Sequence, residues 1–128
     1  MTISERFEEH QKAVERIRRE LDGTSFSRAP FDLVDKKSQF YEVKVVGQRK
    51  GRHYDECRFS ISEDEIKFGQ IFDLVFILLF DNPRHFIPFE KIHDKIMRNR
   101  VGRYKLWGVI RERRQITLGK KFLSQFKV

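Results

Sequence analysis

The sequence predicts a single α/β domain in which helices flank a central mixed β-sheet, with elements in the order α-β-β-α-β. Three observations support this prediction. The first 22 residues place apolar side chains on one helical stripe, residues 31–46 form two β-rich segments joined by a polar turn, and residues 72–80 are almost continuously apolar. The 128 residues suit one domain, with a core at about residues 5–97 and a basic extension at 98–128.

The first helix is predicted to end near residue 22. Its apolar residues recur at helical spacing and are Ile3, Phe7, Val14, Ile17 and Leu21. Thr2 or Ser4 can cap its beginning, because a side-chain oxygen there can accept a free backbone N–H. Gly23 is predicted to end it, since glycine readily adopts the left-handed conformation found just past a helix end.

Two short strands, Phe31–Asp35 and Phe40–Val46, are predicted to pair as a β-hairpin. Both are rich in aromatic and β-branched residues, and a polar segment separates them. The stretch at residues 48–56 is strongly polar, so we expect a mobile connecting loop there.

The segment Ser62-Glu63-Asp64-Glu65 matches a capping box, in which a serine and a glutamate three residues later satisfy each other's free backbone amides. A short helix is therefore predicted from residue 63. The apolar run at residues 72–80 follows, and its continuity predicts a strand covered on both faces.

The rest of the chain carries weaker patterns. A helix beginning at Pro88 is expected because proline suits a first helical position, and Ile92 and Ile96 supply its buried stripe. The predicted elements, in order, are a turn at 81–83, a strand at 86–87, this helix to about 97, a hairpin or two strands at 107–110 and 116–118, and a helical turn at 121–126.

Charge is distributed unevenly along the chain. Residues 91–128 carry twelve basic and two acidic side chains, whereas the whole chain has a formal charge of +8. A surface this positive attracts polyanions, so nucleic acid is the expected partner. Basic residues that only solubilise the chain are the alternative. An anionic membrane is disfavoured, because the charges are mixed with core-type residues such as Leu106 and Val109.

Cysteine content and hydropathy predict a cytoplasmic protein. The single cysteine, Cys57, cannot form an internal disulfide. The longest apolar run falls well short of the roughly 20 residues needed to cross a bilayer. The segment Met1–Glu9 carries three glutamates where a secretory leader would be basic. We therefore expect neither a membrane span nor export.

The predicted hairpin brings together residues that can do chemistry. Glu42 and Lys44 alternate with Tyr41 and Val43, so their side chains project from the same face of one strand. Burying a carboxylate and a lysine there is costly unless they pair or bind an ion. Asp32, on the preceding strand, comes alongside if the hairpin pairs as predicted.

Two carboxylates and one lysine are what metal-assisted phosphodiester cleavage requires. The carboxylates can hold a hard Mg²⁺ ion. The lysine can orient or help to deprotonate the attacking water, and its charge can stabilise negative charge that builds up on phosphorus. A zinc site is a poor alternative, because the four histidines show no ligand spacing with Cys57 or with one another.

The same residues carry a family resemblance. Pro30, Asp32 and Glu42-Val43-Lys44 resemble the signature of the PD-(D/E)XK nucleases, the restriction-endonuclease-like superfamily, in particular its Holliday-junction-resolvase and Mrr-type branches. The resemblance covers roughly residues 5–80. This chain departs from the usual pattern, since Phe31 separates the proline from the aspartate.

The resemblance implies a restriction-endonuclease-like core and a Mg²⁺-dependent DNA endonuclease, with Mn²⁺ as a substitute. It implies metal ligation by Asp32, Glu42 and the backbone carbonyl of Val43, with Lys44 as catalytic base or electrostatic partner. Relatives often carry an acidic residue or a histidine on the first helix. His10 lies on the apolar stripe that would face the sheet, so it is the candidate catalytic residue there, and a hydrogen-bonded core histidine is the alternative.

Other residues complete the candidate site. Asp35 competes for the role of first ligand, but its place at the end of the hairpin favours a turn residue. The candidate nucleic-acid contacts are Arg49, Lys50 and Arg52 in the polar loop, for which a purely connecting role is the alternative, and Arg111, Arg113 and Arg114 near the C-terminus. A homodimer is expected, since cutting two strands needs two sites.

Two other functions compete with the endonuclease. A non-catalytic nucleic-acid-binding module would retain the fold and the positive surface without the reaction, and its binding would depend on salt but not on the metal. An interaction subunit would use its Phe-rich surface and charged segments to dock onto another protein, and it would not retard DNA.

Overall fold

Helices and strands together form a single small α/β domain, as predicted. The computed structural model describes residues 2–46, 56–79 and 84–128. The helices are α1 (Ile3–Leu21), α2 (Glu63–Ile71), α3 (Phe89–Met97) and α4 (Lys120–Leu123), followed by a 3₁₀ turn at Ser124–Phe126. Among these described helices, none combines the length and the apolar character needed to cross a bilayer.

The described strands belong to two sheets. They are β1 (Thr24–Ser25), β2 (Leu33–Val34), β3 (Phe40–Val45), β4 (Glu56–Ser62), β5 (Leu74–Leu79), β6 (Arg84–Pro88), β7 (Gly102–Leu106) and β8 (Val109–Gly119). The first sheet has the order β1-β2-β3-β5-β6 and is mixed, because β3 and β5 are parallel while its other neighbours are antiparallel. The second has the order β4-β8-β7 and is antiparallel throughout.

Helix α1 covers one face of the first sheet. Its N-cap is Thr2, whose hydroxyl accepts the backbone N–H of Glu5 at 3.1 Å. Val14 and Ile17 are buried against β2, β3 and β5. Phe7 was expected in this stripe, but 63% of it is exposed. Among the described apolar residues of the stripe, those that pack against the sheet therefore lie in the second half of the helix.

The end of α1 differs from the prediction. Asp22, not Gly23, adopts the left-handed conformation, with φ of 50°. Aspartate tolerates this region better than most residues, because its short polar side chain can bond locally. A Cβ on Gly23 would lie 2.7 Å from the carbonyl oxygen of Val34, so glycine is needed here for the close approach of two strands.

The other face of the first sheet packs against α2, α3 and the second sheet in one core. Strand β5 is covered on both sides, as its continuous apolar run predicted. Phe76 and Leu78 lie in the core shared with the second sheet, whereas Ile77 and Leu79 lie in the core under α1. Full burial of such side chains stabilises the fold by about 1.5–3 kcal/mol each.

The second sheet was not anticipated. Strand β4 begins at Glu56, which was expected to be the last residue of the polar loop, and continues through residues that the sequence patterns left without an element. It pairs with β8 along its whole length. Strands β7 and β8 replace the shorter strands expected at 107–110 and 116–118, and the turn between them is Trp107-Gly108.

The remaining expectations fare differently. Helix α2 begins at Glu63, as predicted. Helix α3 begins at Phe89, so Pro88 is its N-cap rather than its first helical residue. The loop expected from residue 48, up to residue 55, and the turn expected at 81–83 lie outside the described residues.

Candidate active site

Asp32 and Glu42 lie opposite each other where β2 begins. Strands β2 and β3 pair through Leu33 and Tyr41, and the backbone N–H of Asp32 donates to the carbonyl of Tyr41 at 2.8 Å. Two residues further along β3, the backbone N–H of Val43 donates instead to the side-chain Oδ2 of Asp32, also at 2.8 Å. The short β2 therefore leaves the edge of β3 at Val43 to be satisfied by side chains.

His10 reaches this edge from α1. Its Nε2 lies 3.0 Å from the carbonyl oxygen of Val43 and 3.2 Å from Oδ2 of Asp32. The hydrogen bond to the Asp32 carboxylate raises the pKa of His10 above its usual value, and this outweighs the opposing effect of burial. One ring nitrogen thus faces both a carboxylate and a backbone carbonyl.

His10, Asp32 and Glu42 form a group that could hold a metal ion. One ligand atom from each lies within 4.8 Å of the others, and among the described residues no other such group of three is found. An imidazole nitrogen and two carboxylate oxygens are ordinary ligands for divalent cations. The carbonyl of Val43 faces the same space, because it contacts the same nitrogen of His10.

The two carboxyl groups of this cluster have opposite pKa shifts. Glu42 is only 8% exposed, and burial together with the negative charges of Glu65 and Asp32 raises its pKa well above the usual value. Burial also favours neutral Asp32, but hydrogen bonds from His10 and Glu42 outweigh it and lower the pKa of Asp32. The two carboxyl groups are too close for both to carry a negative charge without repulsion, and a bound cation would reduce that repulsion.

Lys44 lies next to this cluster and forms an ion pair with Glu65. Its Nζ is 2.9 Å from Glu65 Oε1, and both side chains are mostly shielded from solvent. Burial alone would lower the pKa of Lys44, but the carboxylates of Glu65 and Glu42 outweigh it and raise the pKa. Lys44 is therefore a fixed positive charge at neutral pH.

Glu65 was missed as a site residue because the sequence gives it a sufficient structural explanation. Ser62 accepts the backbone N–H of Glu65 at 3.1 Å, which is the serine half of the predicted capping box. The glutamate half is absent among the described contacts, since Oε1 bonds Lys44 and the buried Oε2 has no hydrogen-bond partner there. No feature of the sequence distinguishes these two uses of one carboxylate.

A cleft of about 540 Å³ opens beside these side chains. Asp32, Glu42 and Glu65 line one part of it, and Arg28 and Lys67 bring positive charge to its walls. Phe68 and Phe72 line another part of the cleft. They belong to an aromatic cluster with ring centroids about 5 to 6 Å apart, whose other members are Phe26, Phe31 and Phe40. Asp64 adds a fourth carboxylate, so the cleft combines acidic, basic and aromatic groups.

The competing ligand Asp35 serves as a turn residue. Its Oδ1 accepts the backbone N–H groups of Lys37 and Gln39 at 2.9 and 3.0 Å, and its Oδ2 accepts the hydroxyl of Tyr41 at 2.9 Å. These bonds hold the β2–β3 connection in shape. Asp35 does not belong to the cluster of His10 and the two acidic residues.

The structure treats the six candidate nucleic-acid contacts differently: two lie on β8 without an ion pair to an acidic residue among the described contacts, one is bonded within the fold, and three are not described. Arg111 and Arg113 lie on β8, where the guanidinium of Arg113 stacks 4.5 Å from the ring centroid of Tyr104. Arg114 instead pairs with Glu63 at 2.9 Å and reaches two backbone carbonyls near the end of α3. The loop candidates Arg49, Lys50 and Arg52 lie outside the described residues.

Comparisons with known proteins give no match. No protein-family model matches the chain, and a search of curated proteins finds no match either. The site geometry therefore has to carry any functional conclusion.

Proposed function

We propose that this protein is a divalent-metal-dependent DNA endonuclease with a restriction-endonuclease-like core, similar to the PD-(D/E)XK nucleases. The observation that carries the proposal is the convergence of His10, Asp32 and Glu42 beside Lys44 at a cleft. Burying two carboxyls side by side costs free energy that a structural role alone does not return. Strongly perturbed pKa values beside a cleft are typical of functional sites.

The order of elements supports the proposed core. Helix α1 is followed by the antiparallel strands β1, β2 and β3, and β3 is parallel to β5 through a connection that contains α2. Asp32 directly precedes β2, and Glu42-Val43-Lys44 lies inside β3. This is the arrangement of helix, hairpin and buried strand that the resemblance implies.

The donor set fits a divalent cation. Asp32, Glu42 and the carbonyl of Val43 would hold the ion through oxygen, and His10 would add a nitrogen. When bound, the ion supplies positive charge to the phosphate and lowers the pKa of a coordinated water. Occupation of the site would also remove the charge conflict that keeps the pKa of Glu42 high.

The side chains around the cluster have distinct parts in the proposed reaction. The ammonium of Lys44 stabilises the negative charge that builds up on the phosphate, since a fixed charge in a shielded site needs no reorganisation. Glu65 is a positioning residue in this proposal, because its carboxylate holds that ammonium. Arg28 and Lys67 would contact the DNA backbone along the cleft.

Cleavage of both strands of a duplex would require two copies of this site, so the proposal includes a homodimer. Arg111 and Arg113 remain in the proposed DNA interface. Arg114 does not, since its guanidinium is engaged within the fold.

A cleavage assay tests the proposal. The protein is incubated with duplex, branched and single-stranded DNA in the presence of Mg²⁺ or Mn²⁺. Wild type and Asp35→Asn are expected to cut, whereas Asp32→Asn and Lys44→Met are expected to be inactive. Asp35→Asn is the matched control, because it removes an acidic charge from the same hairpin outside the cluster. Wild-type cleavage no faster than that of Asp32→Asn would refute the proposed endonuclease activity.

A non-catalytic nucleic-acid-binding module is the second candidate. The Lys44–Glu65 ion pair favours it, since the lysine already has a carboxylate partner at 2.9 Å. This alternative predicts DNA binding that falls with salt and is unaffected by the metal or by Glu42→Gln. Gel retardation with and without Mg²⁺ separates the two functions.

A further inference from the structure

The β7–β8 hairpin ends in an exposed tryptophan. Trp107 and Gly108 form its two-residue turn, with φ of 54° and 77°. Positive φ at both positions suits the twist of a hairpin, but it strains a residue with a bulky side chain. Trp107 nevertheless occupies this position, and 85% of it is exposed. Its ring is available to an external partner.

The hairpin has one face that is basic and free of acidic groups. Residues opposite each other in the ladder share a face, so Tyr104 lies with Arg111, and Arg113 lies with Ser62 of β4. The same face continues to Arg58. Among the described side chains of the second sheet, none on this face is acidic.

Acidic charge on the hairpin lies on its opposite side. Glu112 alternates with Arg111 and Arg113, and its carboxylate is 3.7 Å from Arg103, directly across the ladder. The basic face therefore keeps its positive charge available to an anion.

This face begins at the candidate active site. Ser62 and Asp64 line the cleft that holds Asp32 and Glu42, and they also line a neighbouring depression of about 360 Å³. The depression is completed by Glu63 and by hairpin residues that include Tyr104, Arg111 and Glu112. The basic face therefore lies close to the cleft, but carboxylates lie between the two.

We propose that the β7–β8 hairpin is a binding arm for single-stranded DNA, on which phosphates contact Arg111 and Arg113 and an unpaired base stacks on Trp107. The choice of DNA rests on the proposed function. An exposed aromatic ring with neighbouring cations is the arrangement that binds single strands. Bases inside a duplex already stack on each other, so a ring at a hairpin tip reaches only unpaired ones.

Two other occupants fit the arm less well. A second copy would bring two basic hairpins together, and their like charges would repel. An anionic membrane would use the exposed apolar residues at the hairpin tip, which are Leu106, Trp107, Val109 and Ile110. It would not account for basic side chains that extend away from the tip to Arg113 and Arg58.

The chain contains a single tryptophan, so emission excited at wavelengths that tyrosine does not absorb reports on Trp107 alone. We expect a single-stranded oligonucleotide to quench this emission in EDTA at low salt, and a blunt duplex of the same length to leave it unchanged. Trp107→Ala should weaken binding of a dye-labelled single strand by about 5- to 150-fold, the effect expected of one stacked base. Phe7→Ala is the matched control, because Phe7 is also an exposed aromatic residue but lies on α1.

Charge variants test the phosphate contacts. Arg111→Gln and Arg113→Gln should each weaken binding and reduce its dependence on salt. Circular dichroism checks that every variant is folded.

Three outcomes would contradict the proposed binding arm. The first is unchanged Trp107 emission when anisotropy shows that the single strand is fully bound. The second is Trp107 emission that only anionic phospholipid vesicles alter, and the third is a dimer, detected by sedimentation, that Trp107→Ala abolishes. EDTA prevents metal-dependent cleavage, so this binding assay is independent of the enzyme proposal. Quenching of Trp107 without cleavage under Mg²⁺ or Mn²⁺ would reject the proposed nuclease activity and support the binding arm. Cleavage without quenching would support the nuclease activity and reject the binding arm.

Discussion

Lys44 on β3 and Glu65 at the start of α2 form an ion pair, with Lys44 Nζ 2.9 Å from Glu65 Oε1. Only 17% and 13% of the two side chains are exposed. A pair shielded this far makes each partner dependent on the other, because either charge alone would lack both solvent and compensation. The pair also ties the first turn of a helix to the strand that carries Glu42.

Glu65→Gln should destabilise the protein measurably. Loss of one partner from a fully buried pair costs about 3–5 kcal/mol, and residual solvent contact reduces this to about 2 kcal/mol here. Urea denaturation at neutral pH measures the change. Asp64→Asn is the control, since it removes an exposed carboxylate from the same helical turn and should stay within about 0.5 kcal/mol of wild type.

The double variant Glu65→Gln/Lys44→Met sharpens this test. It should be more stable than Glu65→Gln alone, because it removes the lysine charge that the single variant leaves without its partner. If the two variants unfold at the same urea concentration, the ion pair does not contribute as argued. In the cleavage assay, Glu65→Gln should lower kcat and leave KM for DNA nearly unchanged, as expected for a positioning residue.

Asp32→Asn should abolish metal binding. Its oxygen is central to the cluster, since it contacts both His10 and the backbone of Val43. Calorimetric titration with Mn²⁺ should show at least about 100-fold weaker binding. Asp35→Asn should retain wild-type affinity. Equal affinity in the two variants would place the metal elsewhere.

The pKa of His10 should respond to Asp32. In metal-free protein, the NMR titration midpoint of His10 should lie above its usual 6.5, because its hydrogen bond to the Asp32 carboxylate favours the protonated ring. In Asp32→Asn the largest cause of the raised pKa is gone while burial remains, so the midpoint should fall relative to that of wild type. A midpoint that does not move would contradict the contact.

The same shift makes the contribution of His10 to stability depend on pH. A raised pKa means that the folded state binds the proton more tightly than the unfolded chain. This contribution is complete below the unfolded value of 6.5 and is lost as the pH rises through the folded-state pKa. His10→Gln should therefore lose more stability relative to wild type at about pH 5.5 than at about pH 8.5. If urea denaturation shows a larger loss of stability at about pH 8.5 than at about pH 5.5, the pKa of His10 is not raised by folding.

The imidazole ligand should influence the choice of metal. Mg²⁺ prefers oxygen ligands, whereas later divalent ions accept nitrogen more readily. We expect Mn²⁺ to support faster cleavage than Mg²⁺ in wild type, and His10→Glu to narrow that difference. Cleavage rates at matched saturating concentrations of each ion measure the ratio. A ratio unchanged by the substitution would exclude His10 from the metal site.

Local sequence patterns predicted the elements that depend on neighbouring residues. The cap at Thr2, the start of α2 after Ser62 and the apolar run of β5 each follow from residues close together in the chain. Strand β4 was missed although Cys57, Phe59 and Ile61 alternate as a half-buried strand should, because its partner β8 lies about fifty residues away. Such a pairing has no local signal.

By itself, the sequence determined that one α/β domain would form and that Glu42 and Lys44 would lie on a strand with Asp32 close to the neighbouring one, since alternation and turn chemistry act over a few residues. The strand expected at Phe31–Asp35 is shorter in the structure, and Asp32 directly precedes it. Only the tertiary structure decided that His10 completes the cluster and that Glu65 turns from its own helix cap to Lys44. The physical reason is that burial and charge compensation depend on what surrounds a group in space, and those surroundings come from distant parts of the chain.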